Sequence, residues 1–175
     1  MSIDTSKIEI GAGNLHIKAA GEADFTDCGA ALDAELNPTT ERKDIECAQV
    51  PGPVKGEIVG TKVLFKVQLL ERSLRNVALA MGGNPADISA ETGPPAYHEF
   101  KWGGKFEDVE CDIKYEVPQT DDRSKKDILQ ISKAKSLGAI TLPFKKKLET
   151  IFEITFQGYV DPANDNHMIS IRRED

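Results

Sequence analysis

TKVLFKVQLLERSLRNVALAMGG, residues Thr61 to Gly83, changes its apolar period once, and the chain is organised around that change. Val63, Phe65, Val67 and Leu69 alternate with Lys62, Lys66 and Gln68, the period of a strand with one buried face. Ser73 then stands where a side-chain oxygen can accept a bond from a free N–H of a first helical turn. Leu74, Val77, Ala78 and Met81 follow at the spacing of one helical face, which makes them the expected helix-to-sheet packing residues. Gly82 and Gly83 suit the left-handed turn that ends many helices. A strand thus runs into a short helix whose apolar stripe needs a sheet beneath it.

Upstream, residues 1–20 hold two short apolar pieces around a Gly-containing break, and read as an N-terminal arm or edge strand. Residues 21–175 read as a single β domain. Asp24–Gly29 is an expected loop, Ala30–Leu36 a strand, and Asn37–Pro38–Thr39 a turn. Glu41–Lys55 mixes charge with Pro51–Gly52–Pro53 and is expected as an exposed loop. Downstream, Asn84–Ala96 should be irregular, and Gly103–Gly104 should turn a hairpin between His98–Trp102 and Lys105–Val117. Val109, Cys111, Ile113, Tyr115 and Val117 alternate with Glu110, Asp112, Lys114 and Glu116, the cleanest strand in the chain. Pro118–Lys126 is a polar loop. Asp127–Lys135, Leu148–Val160 and His167–Arg173 are further strands, and Asp161–Asn166 is a turn. The fold class is therefore mainly β with one helix, α+β: an antiparallel β-sandwich or barrel flanked by a short α-helix, with long loops.

Composition narrows the function. With 175 residues, 29% charged and 39% hydrophobic, the chain suits one folded domain with a real core. A net charge of −7 argues against a sequence-independent grip on nucleic acid, which needs clustered cations. No apolar run approaches a membrane span, and the acidic N-terminus is not a secretory signal. Cys28, Cys47 and Cys111 are odd in number and isolated, so buried free thiols are expected rather than disulfides.

Catalytic and metal constellations are missing from the pattern. His16, His98 and His167 have no zinc spacing with the cysteines, and Asp161, Asn164, Asp165 and Asn166 lack the glycine and terminal glutamate of a calcium loop. No phosphate-cradling glycine loop or nucleophile elbow occurs. The expectation is no enzyme, no metal and no cofactor. Trp102 and Tyr97 could stack a sugar or peptide, so a monomeric ligand-binding β-domain is the alternative.

Taken together, GAGNLHIKA, ADFTDCGAALDAEL and VPGPVKGEIVGTKVLFKVQLLERSLRNVALAMGG resemble the major tail tube proteins of siphophage-type bacteriophages. Phe65, Leu69, Glu71, Leu74, Asn76, Ala80 and Gly82 occupy the places of that family's strand-to-helix pattern. The loops 82–102 and 117–126 depart from it. The resemblance implies a structural virion protein, related to the tube of type VI secretion, whose hexameric rings stack into a hollow conduit for genome delivery. It implies partners that are further copies of the chain and other tail proteins, such as baseplate, tape measure or terminator. Synthesis would be in the host cytoplasm and final location in the virion tail, with no membrane partner and with DNA passing unbound. A tail-completion or decoration protein is the nearest variant. On this reading Glu110, Asp112, Glu116, Glu149 and Glu153 are the expected acidic lumen wall. Pro118, Asp121, Asp122, Arg123, Lys125 and Lys126 form the expected ring-to-ring loop, with Glu41–Lys55 and the N-terminal arm as further candidates.

Overall fold

The computed structural model describes residues 13–46, 53–103, 109–119, 121–138, 140 and 151–174. Nine strands, one α-helix and two short 3-10 turns (Pro85–Asp87 and Pro162–Asn164) make up the described residues. In chain order the strands are β1 (Asn14–Ala19), β2 (Thr26–Glu46), β3 (Pro53–Leu69), β4 (Ser89–Glu91), β5 (Tyr97–Glu99), β6 (Glu110–Pro118), β7 (Lys126–Ser136), β8 (Phe152–Gly158) and β9 (Ser170–Arg173). Helix α1 (Leu74–Ala80) follows β3.

Six strands close on themselves. The order β6-β1-β2-β3-β8-β7 is completed by a further β6–β7 pairing, every contact antiparallel, so the large sheet is a barrel. Closure leaves no open edge around the ring of strands. Strand β7 carries the seam: its first half pairs with β9 (Asp127↔Arg173 to Gln130↔Ser170), and its last residues pair with β8 (Ala134↔Gly158 to Ser136↔Phe156).

The period-two residues fill the interior. Leu15 and Ile17, Val63 to Leu69 at alternate positions, Ile113 and Tyr115, Ile131, and Phe152, Ile154 and Phe156 are all buried. Each fully buried phenylalanine contributes roughly 2–3 kcal/mol of burial free energy. Phe65 and Tyr115 meet with ring centroids 5.7 Å apart and planes tilted by 57°. Gly13 lets the backbone lie against that tyrosine: its N–H donates to the phenol oxygen at 3.1 Å, and a Cβ there would stand 2.4 Å from the ring.

Helix α1 begins as its sequence dictates. Ser73 is the N-cap, and its Oγ accepts from the Asn76 N–H at 3.1 Å. The packing face is rotated from the expected stripe. Leu74, Val77 and Met81 are half-buried and only Ala78 is buried, whereas Asn76, Leu79 and Ala80 are also buried. The rotation follows from polar anchoring: Asn76 Nδ2 donates to the carbonyls of Cys28 (2.8 Å) and Glu71 (3.1 Å). Arg75, on the neighbouring side, donates to the Ile17 carbonyl (3.1 Å) and to Glu22 (2.7 Å).

Other boundaries also differ. Residues 14–19, expected within an arm or edge strand, form an internal strand between β6 and β2, while residues 1–12 lie outside the described residues. Pro38 does not turn the chain; it sits within β2 opposite Val63, where β2 has β3 as its one described neighbour and a missing N–H is tolerated. Residues 41–46 and 53–55, expected as loop, are strand. Tyr97–Glu99 pairs with Ser89–Glu91 in a small separate sheet, while β6 has β1 and β7 as its neighbours; Gly104 of the expected hairpin turn lies outside the described residues.

Replacing Asn76 with alanine should lower unfolding free energy by about 2–3 kcal/mol, since two carbonyls lose their buried donor. Urea denaturation measures this, and an unchanged midpoint would show that water replaces the amide.

Candidate functional site: the unpaired arm and the charged walls

Strands β2 and β3 run on past the barrel. Inside it, β2 is flanked by β1 up to Ala30 and β3 by β8 from Val63 onward. Beyond those points the two strands pair only with each other, through Thr39↔Lys62 to Glu46↔Pro53, as far as the described residues show. Residues 37–45 and 55–59 are exposed on both faces. Ile58 and Val59 remain 62% and 55% exposed. A lone two-stranded ribbon is marginal in water, and its outer edges carry unpaired N–H and C=O groups. A bulge between Glu41 and Arg42 increases the local twist. The Lys55–Glu57 ion pair at 2.5 Å is exposed and adds little.

The expected acidic wall does not assemble as one surface. Glu110, Asp112 and Glu116 lie on the outward side of β6, but lysines hold two of them. Glu110 pairs with Lys133 at 3.2 Å and Lys135 at 3.6 Å. Glu116 is buried and clasped by Lys114 and by Lys126, the latter at 2.5 Å. Those two bonds hold its carboxyl down at about 2, against an ordinary 4.5. Asp112 stands opposite Lys18 in the register, and burial pushes its carboxyl up, with Lys18 opposing and Asp161 adding to the rise. Glu153 belongs to β8, two places round the barrel from β6, and Glu149 lies outside the described residues.

A different acidic group forms where Glu153 stands. Its carboxylate meets Lys66 at 3.0 Å. The bond from Glu153 pushes the Lys66 ammonium up, with Glu35 and Asp33 adding. Three carboxylates from β2 and β8 thus surround one ammonium on β3. The alternation of Asp33 and Glu35 with Ala34 and Leu36 carried this signal, but the β2–β3 register decides that Glu35 stands opposite Lys66 and Asp33 opposite the next outward residue, Gln68.

The 118–126 loop is tied down rather than free. Gln119 is buried, and its Nε2 donates to the Glu174 carbonyl at 2.8 Å and to Asp127 at 3.2 Å. Asp121 reaches Arg173 at 3.8 Å, and Asp122 accepts from the Ser124 hydroxyl at 2.6 Å. Pro118 closes β6 opposite Lys126, Asp121, Asp122 and Arg123 are exposed, and Lys125 is half-buried.

The remaining candidates are structural in setting. Trp102 Nε1 donates to the Met81 carbonyl at 3.2 Å, which ties the ring to the end of α1. Cys28 and Cys111 are buried and free; burial pushes the Cys111 thiol up to about 12. Cys47 lies outside the described residues. Among the described residues no group of three or more His, Cys, Asp or Glu could hold a metal ion, and no helix is long and apolar enough to cross a membrane.

The clasp on Glu116 has a pH signature. A carboxyl depressed in the folded state contributes stability above its unfolded value and loses it as pH falls through the folded value. Glu116→Gln should therefore be less stable than wild type above about pH 5, with the gap closing as pH falls towards about 2. Thermal melts across that window test it; a pH-independent gap would mean that packing, not charge, is lost.

No family model matches this chain, and no curated protein matches it. Among solved structures, a chain from the C6-symmetric tail of an empty gene transfer agent particle is similar at 9% identity and TM-score 0.46, over 100% of both chains. A chain from the sixfold-symmetrised baseplate of the anti-feeding prophage is similar at 8% identity and TM-score 0.48, over 100% of this chain and 95% of that one. A chain from the virion of the native gene transfer agent particle follows at 11% and 0.42, over 92% and 95%. Likeness at these TM-scores carries no assignment of fold or role.

Proposed function

We propose that this chain is a structural subunit of a phage-type virion tail, and specifically a major tail tube protein. Copies close into hexameric rings, and the rings stack into a hollow conduit for genome delivery. The observation that carries this reading is the arm, residues 37–46 and 53–62, whose two strands have no partner on their outer edges among the described residues. The barrel has satisfied its own edges, so the arm is where a further copy can add. A strand from a second copy supplies the missing pairs by edge addition. Rotational repetition of that contact closes a ring, and head-to-tail repetition along an axis makes an open polymer.

The sequence resemblance agrees with this. Its pattern residues Asn76 and Ala80 are two of the four buried residues of α1, which gives the pattern a role in the fold. Asp33 and Glu35 on β2, with Glu153 on β8, are the acidic wall that fits the conduit, because they lie on or beside the two strands from which the arm projects. Their field would repel phosphate over a Debye length of about 8 Å and let DNA pass without sticking. The role is non-catalytic, and the tube ends would meet other tail proteins.

Negative-stain microscopy and sedimentation of the concentrated protein should show sixfold rings or tubes. Replacing residues 40–61 with a two-residue Asn-Gly turn between the paired Thr39 and Lys62 should leave a folded barrel that stays monomeric. A shortened protein that still polymerises, or a wild type that remains monomeric and binds a small ligand stoichiometrically, would sink the reading.

A further inference from the structure

A cavity of about 330 Å³ lies on the outward side of β7, beneath the crossover from β8 to β9. Gln130, Ser132, Asn164, His167, Ser170 and Arg172 line it together with Ile169. The lining offers a guanidinium, an imidazole, two amides and two hydroxyls, and no carboxylate, in a chain of net charge −7. Asn164 Nδ2 donates to Ser132 Oγ at 3.0 Å, which leaves the serine hydroxyl hydrogen for another acceptor. Among the described residues the exposed Arg172 guanidinium has no ion-pair or hydrogen-bond partner. Two carboxylates stand near it in the register, and both are engaged. Glu116, two strands across through Ile128, is held by Lys114 and Lys126. Glu174, two residues along, accepts from the Lys126 N–H at 2.8 Å.

We infer that this pocket is an anion site, and that it receives a carboxylate side chain of a second copy of the chain. The inference rests on the self-assembly reading above. A guanidinium fork matches a carboxylate in two parallel bonds, and the hydroxyl and amide donors complete its coordination. The phosphate backbone of DNA fits less well, because one lone cation in an acidic protein lacks the clustered charge that a polyanion needs. The chain itself supplies the complementary group. Glu41 and Asp44 on the arm are exposed and have no ion-pair partner among the described residues. The base of the arm stands beside its own pocket, where Thr61 Oγ1 donates to Met168 Sδ at 3.6 Å. Neither acid pairs with Arg172 of its own chain, so a neighbour's arm is the fitting occupant.

Charge exchange tests this. Arg172→Glu, and separately Glu41→Lys with Asp44→Lys, should each weaken wild-type assembly by roughly tenfold or more in sedimentation. Both sites are exposed, so melting of the monomer should be unchanged, and Arg172→Gln is a milder second variant. Mixed one to one, the two reversed proteins should assemble again, because each pocket then meets an arm of opposite charge. Assembly of Arg172→Glu as in wild type overturns the inference while leaving the self-assembly reading intact. So does failure of the mixture to recover. A wild type that does not assemble under any condition overturns the self-assembly reading, and the pocket assignment with it. Arg172-dependent binding of an oligothymidylate, read by fluorescence anisotropy, would make the anion a phosphate and also overturn the inference.

Discussion

Closure of six antiparallel strands through β7 is the constraint on which the rest of the structure depends. Backbone groups in a sheet must pair somewhere, and a closed order satisfies them without a partner. Because β7 splits its outer edge between β9 and β8, it joins the two ends of the chain's strand order. That join fixes where the crossover from β8 to β9 must run, and so creates the pocket against Gln130 and Ser132. It also places Lys133 and Lys135 beside Glu110, which neutralises part of the outward face of β6.

Against that closed body, the β2–β3 arm is an exception of the opposite kind. The same two strands that bury Val67 and Leu69 in the core carry Ile58 and Val59 into solvent. The ribbon is therefore stable at its base, while its outlying residues have no third strand among the described residues. The contrast is physical rather than a matter of composition: interior residues lose contact with water, while the arm gains nothing until something covers it. An assembling protein needs both parts, because a monomer must fold before it can be added to a polymer.

Polar contacts do the positioning that apolar burial cannot. Helix α1 has only seven residues and buries small side chains, so its orientation rests on Asn76 reaching two carbonyls and Arg75 reaching Ile17 and Glu22. The last strand is held in a similar way: Ile171 remains 68% exposed, and buried Gln119 grips the Glu174 carbonyl. Hydrogen bonds are directional where hydrophobic contact is not, which is why these few side chains set the angles at which elements meet.

Much of the strand and helix content was legible from local period. The alternation in Val63–Leu69, Cys111–Tyr115 and Phe152–Phe156 marked the barrel interior, and Ser73 marked the start of α1, because each signal depends on residues a few positions apart. The class, mainly antiparallel β with one helix, followed from those signals. The helix face, the length of the arm and the grouping of charges depended on distant partners. Pro38 reads as a turn until β3 is laid beside it, and Glu110 reads as free acid until β7 brings its lysines. Asp33 and Glu35 become one cluster with Glu153 only through the register of three strands. Local covalent geometry and side-chain period are written along the chain, whereas strand order and register arise from contacts across it, and the tertiary structure alone decided which charges meet and which strands run on past the barrel.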